Sequence, residues 1–379
     1  MGTAANVYDH GGGTGYSLIQ HKPVIESIFS GAVNVPITFT GMHIHRWPNF
    51  TSGVLSPAPT FQYGMLRSHD YDGGVSWRHI EPVKSAFSWS RLDEVVNLHF
   101  AAGRKLLYTV LGTPTWAATA AGQARNDPYG YPGGSDRPEN LADLSSFITA
   151  LVTRYAGKIW IEIWNEPYFT QDWTGFFWGS AENMAAMART INIAAKAADP
   201  TIQVLSPGFT LGQHIVTFLQ ASDGAGGFGK NHIDGLCCHF YDVMAYKEYP
   251  AGTVSSVSNF MFWLTKYLSD SGMSTTFPIY DTEHGWYNPA HPWLAKSEAE
   301  RAIELKRIAA VQSSHGIKSV CWYSYDGNFI GTPNIANSQS MSQSISDCHN
   351  VLSGKQLRNI GIRLDGSWLI TTDAGQAVW

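Results

Sequence analysis

Glu162, Asn165 and Glu166 lie inside the apolar run IEIWNEP (residues 161–167), and Glu283 lies in a second run, IYDTEHGW (279–286). A carboxylate in apolar surroundings is costly unless it has a partner or a task. Two carboxylates whose environments push their proton affinities apart can divide labour: one keeps its proton and donates it, the other stays ionised and attacks. Glu166 and Glu283 are the candidates for that pair. Glu162 reads as a structural charge that needs a cation, and Arg67 in GMLRSHD (64–70) is the best candidate.

Residues so far apart in the chain meet only if their strands end at one shared mouth. From about residue 36 to 326 the sequence alternates apolar β-rich runs with helical patterns, the signature of repeated βα units on a parallel sheet. Eight strands are expected, at 37–45, 64–68 with a possible extension to 70, 105–112, 159–166, 202–209, 233–241, 278–283 and 319–325. Eight interleaved strands fit a (β/α)8 barrel better than an open doubly wound sheet, whose strand count is usually lower. Helices are expected from Ser90, as a cap, with Leu92, Val95, Val96 and Phe100 as the apolar stripe and Gly103 as the stop, and over 139–155, 182–198, 254–270 and 297–315. Catalytic groups in such a barrel come from the C-terminal ends of strands, which is where Glu166 and Glu283 fall. Period-two alternation turns Ile161 and Ile163 outward and Glu162, Trp164 and Glu166 inward.

Residues 1–35 form an N-terminal extension, 36–330 the barrel, and 331–379 a C-terminal extension packed on it, with 331–346 read as a Ser- and Asn-rich loop and short strands from Gly361 onward. The run Gly11–Gly15 is not followed by Lys-Ser/Thr and reads as a turn rather than a phosphate loop. Charged residues make up 15% of the 379, against an average of about 25%, while 13% are aromatic, so the polar work falls to hydroxyls, amides and rings. Net charge is −5 with no Lys/Arg run, which argues against nucleic acid as a partner. No apolar run is long enough to cross a membrane. The first residues lack the pattern of a signal peptide; low charge and many rings favour an extracellular or periplasmic protein if an export signal was removed. Cys237, Cys238, Cys321 and Cys348 show no CxxC spacing and read as buried free thiols, the adjacent pair pointing to opposite faces of a strand.

IWNEP closing the fourth strand and IYDTEHGW closing the seventh resemble the retaining glycoside hydrolases of clan A. The resemblance runs along most of the barrel, through GMHIHR, GMLRSHD, GVSWRHIEPVKSAFSWSRLDEVV, LLYTVLGTPTWA and SVCWYSYD. Within the clan the chain is most similar to glycoside hydrolase family 39, which includes β-xylosidases, α-iduronidases and endo-acting hydrolases of bacterial exopolysaccharides. The resemblance implies Glu166 as general acid/base, Glu283 as nucleophile, Asn165 on the sugar 2-hydroxyl, His239 and Tyr241 beside the nucleophile, and Trp322 as a sugar platform. Arg67 is suitably placed to keep Glu283 ionised; because it cannot serve Glu162 and Glu283 equally, the Glu283 pairing is favoured and the other is expected to be indirect. Trp116 and Trp286 could extend a cleft, and His43 and His45 contact sugar hydroxyls or the glutamates. Only about fifty residues follow the eighth strand, too few for the accessory β-sandwich of the family's β-xylosidases, so endo cleavage of a β-linked polysaccharide by a monomer without cofactor is expected.

Three other readings compete. One is an exo-acting, β-xylosidase-like glycosidase. His43-x-His45 also suits a metal-dependent amidohydrolase barrel, with Glu166, His239 and Asp326 recruited as ligands, but the fifth strand offers no His. A barrel that binds glycan without cutting it would be expected to lack one of the two carboxylates. A Ser-His-Asp hydrolase is disfavoured by the absence of a G-x-S-x-G elbow.

Overall fold

The computed structural model describes residues 24–45, 58–69, 74–169, 176–210, 212–241, 243–245, 255–285, 296–326 and 335–379, with the side chains of Ile25 and Ser255 left undescribed. The Gly11–Gly15 run and the possible extension of the second strand to Asp70 lie outside the described residues.

Eight parallel strands close into a barrel in chain order: Thr40–His43, Met65–Arg67, Lys105–Thr109, Ile159–Glu162, Val204–Phe209, Gly235–Tyr241, Ile279–Gly285 and Val320–Trp322. They are called barrel strands one to eight below. Helices Ser90–Ala101, Leu141–Arg154, Ala181–Ala198, Gly212–Gln220, Val257–Asp270, Glu298–Ser314 and Gln339–Leu352 follow strands two to eight. The (β/α)8 expectation is met, with every strand shorter at one end or both than its apolar run and the seventh also running on to Gly285.

The interior is layered. Met65, Leu107, Leu205, Cys237, Tyr280 and Cys321 pack as one apolar cluster with Trp160 against it, a contribution from each of strands two to eight. Two residues further along strands two, three, four, six and eight, alternation returns the chain to the inside at Arg67, Thr109, Glu162, His239 and Tyr323. Strands five and seven need three steps, to Gly208 and Glu283, because each carries an irregularity. Leu205 pairs with Gly235 but Gly208 with Cys237, and Asp281 pairs with Cys238 but Glu283 with His239. In strand five the extra residue coincides with Pro207, which has no N–H, and the Ser206 hydroxyl accepts the Cys237 N–H at 2.8 Å. In strand seven the Asp281 carboxylate accepts the Phe240 N–H at 3.3 Å, while its other oxygen meets His284 Nδ1 at 2.7 Å and the Gln312 amide at 2.8 Å.

The cysteines are as expected: all four are buried and free, with Cys237 in the interior cluster and Cys238 in the outer core. Three local expectations are corrected. Ser90 is the first helical residue rather than the cap; Trp89 holds the cap position without a side-chain bond. On that helix His99 is buried and Phe100 is 50% exposed, because His99 binds the Val95 carbonyl at 2.8 Å and Tyr63 Oη at 3.0 Å. Part of 331–346, read as loop, is the start of helix Gln339–Leu352, capped by Ser338 on the Met341 N–H at 3.2 Å. Its polar composition hid a stripe of Met341, Ile345, Cys348 and Leu352.

The two extensions build one sheet. Strand Val24–Asn34 pairs antiparallel with Gln356–Arg363, which continues through Trp368–Thr372 to Gly375–Val378. Leu357, Ile360, Trp368 and Ile370 are buried, and the Arg307 guanidinium of helix Glu298–Ser314 lies 5.2 Å from the Trp368 ring. Among the described residues no helix is long and apolar enough to cross a membrane.

Candidate active site

The polar layer at the mouth is organised by Arg67. Its Nε donates to Glu162 Oε2 at 2.7 Å, its Nη2 to Asn165 Oδ1 at 2.7 Å, and its Nη1 to Glu283 Oε1. Nη2 also lies 2.6 Å from Glu162 Oε2. Arg67 and Glu162 are wholly buried and Glu283 is 4% exposed. The expectation of one direct and one indirect pairing is therefore corrected: the planar guanidinium fork presents separate N–H groups to both carboxylates. Thr109 adds a hydroxyl to Glu162 Oε2 at 2.7 Å. The Arg67 bond to the Asn165 oxygen fixes the amide's orientation and leaves its NH₂ as the donor edge.

Glu166 does not continue the strand as alternation predicts. Strand four ends at Glu162, Asn165 forms an isolated bridge to Gly208, and Glu166 adopts φ 40°, a conformation that non-glycine residues take at a cost of about 1–3 kcal/mol. Its N–H donates to the Gly208 carbonyl at 2.9 Å, and its Oε1 lies 2.7 Å from His239 Nδ1. Gly208 is required here: a Cβ would stand 2.4 Å from His239 Nε2 and 3.1 Å from Glu162 Oε1.

Glu283 receives Tyr241 Oη at 2.6 Å, and His239 Nδ1 lies 3.6 Å from its Oε2. Burial alone would raise its pKa, but the His239, Arg67 and His43 charges outweigh burial and hold it well below the ordinary 4.5. His239 shows the reverse balance: burial lowers it, while the Glu283 charge and the Glu166 hydrogen bond bring it above the ordinary 6.5. Burial, with the Glu283 charge added, pushes the Tyr241 phenol well up, so it remains a donor.

His43 and His45 stack at 4.8 Å between ring centroids at the end of strand one. His43 is held well below its ordinary pKa by burial and then by His45; its Nε2 donates to the His69 carbonyl at 2.7 Å. His45 contacts Asp326 through its backbone N–H at 2.7 Å and Tyr323 Oη through Nε2 at 3.1 Å. The Tyr323 ring lies 4.6 Å from His43 and 6.4 Å from Tyr241.

The structure thus gathers Glu166, Glu283, Asn165, Arg67, His239 and Tyr241 at one mouth, with His43 and His45 beside them. Trp322 is not among them. With Cys321 inside, alternation turns Trp322 outward, where its ring meets His284 at 4.8 Å, and the inward position goes to Tyr323. Trp116 packs beside helix Trp77–Ile80, its indole donating to the Glu81 carbonyl at 2.9 Å and its ring meeting Trp77 at 6.3 Å. Trp286 lies outside the described residues. Tyr323, Gly208 and Asp281 were missed by sequence reasoning; period two counted from Cys321 and the Ser-Pro-Gly in strand five were the signals that pointed to the first two.

Ligand atoms of Glu166, His239 and Glu283 lie within 4.8 Å of one another, a spacing a divalent ion could use. The donors are otherwise engaged: Arg67 and Tyr241 hold the two Glu283 oxygens and His239 Nδ1 faces Glu166. A guanidinium fixed on a ligand carboxylate opposes a second cation, so the set does not suit a metal. Of the ligand set envisaged for an amidohydrolase, Glu166 and His239 belong to this group, whereas among the described residues His45 pairs with Asp326 apart from it and His43 Nε2 is taken by the His69 carbonyl.

No family model matches the chain. Its fold is similar to that of a family 39 glycoside hydrolase from the gut symbiont Bacteroides cellulosilyticus WH2, at 17% identity and TM-score 0.58 over 91% of this chain and 70% of that one. It is similar also to a monomeric β-xylosidase from Caulobacter crescentus CB15, at 16% identity and TM-score 0.60 over 91% and 75%. Xylanase 10B from Thermotoga maritima matches at 14% identity and TM-score 0.54 over 84% and 95%. The likeness to family 39 and clan A barrels read from the sequence is borne out at the level of the fold.

Proposed function

We propose that the protein is a retaining glycoside hydrolase, with Glu166 as general acid/base and Glu283 as nucleophile, acting within a β-linked polysaccharide. The observation that carries the reading is the closeness of the carboxylates: one oxygen of each lies within 4.8 Å of one of the other's, and the two share His239 Nδ1 at 2.7 Å from Glu166 and 3.6 Å from Glu283. Retaining enzymes hold the pair about 5–5.5 Å apart, whereas inverting enzymes leave about 6.5–9.5 Å for a water. Glu283, kept ionised by Arg67, His239 and Tyr241, attacks the anomeric carbon while Glu166 protonates the leaving oxygen. A water deprotonated by Glu166 then releases the sugar. Asn165 donates its amide to the 2-hydroxyl, and Tyr323 supplies the ring face that Trp322 was expected to supply. No step calls for a cofactor, and the resemblance to a monomeric β-xylosidase fits a monomer.

Endo action is the favoured reading, with exo action of the β-xylosidase kind as the second, since the fold is shared by β-xylosidases and xylanases alike. Release of reducing ends from xylans, glucans, mannans, galactans and bacterial exopolysaccharides by wild type and Glu283→Gln tests the reading. Oligomers from wild type alone support endo hydrolysis; monomers alone support exo action. Glycan binding without turnover by wild type would replace hydrolysis with a binding role.

A further inference from the structure

We propose that Tyr129, on the segment between barrel strand three and helix Leu141–Arg154, forms a platform for a second sugar ring of the substrate, beyond the unit held between Glu166 and Glu283. The inference rests on the hydrolase reading and names a subsite of that same cleft. Tyr129 and Tyr131 are 41% and 43% exposed, yet their backbone is pinned. The Asp127 carboxylate accepts both backbone N–H groups, at 3.0 and 2.8 Å. Arg78 pairs with the other Asp127 oxygen and lays its guanidinium 3.9 Å from the Tyr131 ring and 5.8 Å from that of Tyr129. Gly134 leaves the space for this pair, since a Cβ there would stand 2.3 Å from Asp127 and 2.6 Å from Arg78.

The platform is continuous with the active site. Tyr129 Oη lies 3.4 Å from His69 Nε2, the His69 carbonyl holds His43, and the His43 ring lies 5.8 Å from that of His69 and 4.6 Å from that of Tyr323. Phe176 backs the arrangement, with its ring 6.0 Å from Tyr129 and 5.8 Å from His69. An exposed aromatic face already fixed in place, bordered by hydroxyl and imidazole donors, suits the apolar face of a neutral pyranose, and its rigidity lowers the cost of ordering on binding.

The test compares kcat/KM on the polymer that wild type cuts fastest in the panel above with kcat/KM on the 4-nitrophenyl β-glycoside of the same sugar. Tyr129→Ala and Tyr129→Leu should lower the polymer-to-glycoside ratio at least about tenfold, with Tyr129→Trp restoring most of it. Phe262→Ala, an exposed ring on helix Val257–Asp270, should leave the ratio as in wild type. An unchanged ratio in both Tyr129 variants overturns the subsite while the hydrolase reading stands. Wild type inactive on every polymer and glycoside overturns both.

Discussion

At Glu283 the competition between burial and charge can be followed group by group. The carboxylate is almost completely enclosed, which by itself favours the neutral acid, yet Arg67, His239 and Tyr241 all present positive charge or donors to it. Because its folded pKa is depressed, it contributes stability that is present above about pH 4.5 and lost as pH falls through the folded value. The acidic limb of kcat/KM should accordingly lie below pH 4.5, and a limb at or above that value would contradict the assignment. Replacing Arg67 by Met leaves two buried carboxylates without their cation, and unfolding in denaturant should show a loss of about 3–5 kcal/mol. His239 is raised, so its contribution is complete below about pH 6.5 and lost as pH rises through the folded value. The Glu283 charge is the largest influence raising it. In Glu283→Gln the His239 imidazole should therefore titrate at lower pH by NMR, whereas an unchanged or higher midpoint would mean that the two groups are not coupled as described.

At the scale of the strand, what places the residues is irregularity. Regular alternation from Tyr280 would have turned Glu283 outward; the extra residue after Asp281 turns it inward, and the Asp281 carboxylate takes up the Phe240 N–H at the irregularity. Asp281→Ala should thus cost activity out of proportion to stability, with Asp281→Asn restoring much of it, since the amide oxygen can still accept from Phe240. Equal activity in both variants would remove Asp281 from the account. Gly208→Ala should act in the same sense, because the new methyl meets His239. These features explain which parts of the site were legible. Arg67, Glu162, His239 and Tyr241 lie on regular stretches where period two holds, and the acid at the end of each run was marked by its cost in apolar company. Trp322 was assigned to the mouth by resemblance although the register of its own strand turns it away. The outward anchor of the strand-seven irregularity involves a helix residue, Gln312, that no local pattern connects to Asp281.

At the scale of the whole molecule, the barrel was readable because eight apolar runs recur with helical spacers, and the core needs little more than that repetition. The sheet built from both extensions was only half readable: the alternation after Gly361 is visible, but its partner strand Val24–Asn34 is specified by pairing across the full length of the chain. Removing residues 356–379 takes away the buried Leu357, Ile360, Trp368 and Ile370 and strips that strand of its partner, and should lower Tm by several degrees or more. An unchanged Tm would mean the sheet adds nothing to the barrel. The central claim concerns two carboxylates and the order in which they act, and covalent trapping addresses it most directly. Wild type would be incubated with 2,4-dinitrophenyl 2-deoxy-2-fluoro-β-glycosides of the sugars it releases, and the labelled peptide located by mass spectrometry. The account predicts one sugar per chain, attached to Glu283 and absent from Glu283→Gln. A label on another residue, or steady hydrolysis of the parent glycoside with no adduct and with inversion at the anomeric carbon, would contradict it.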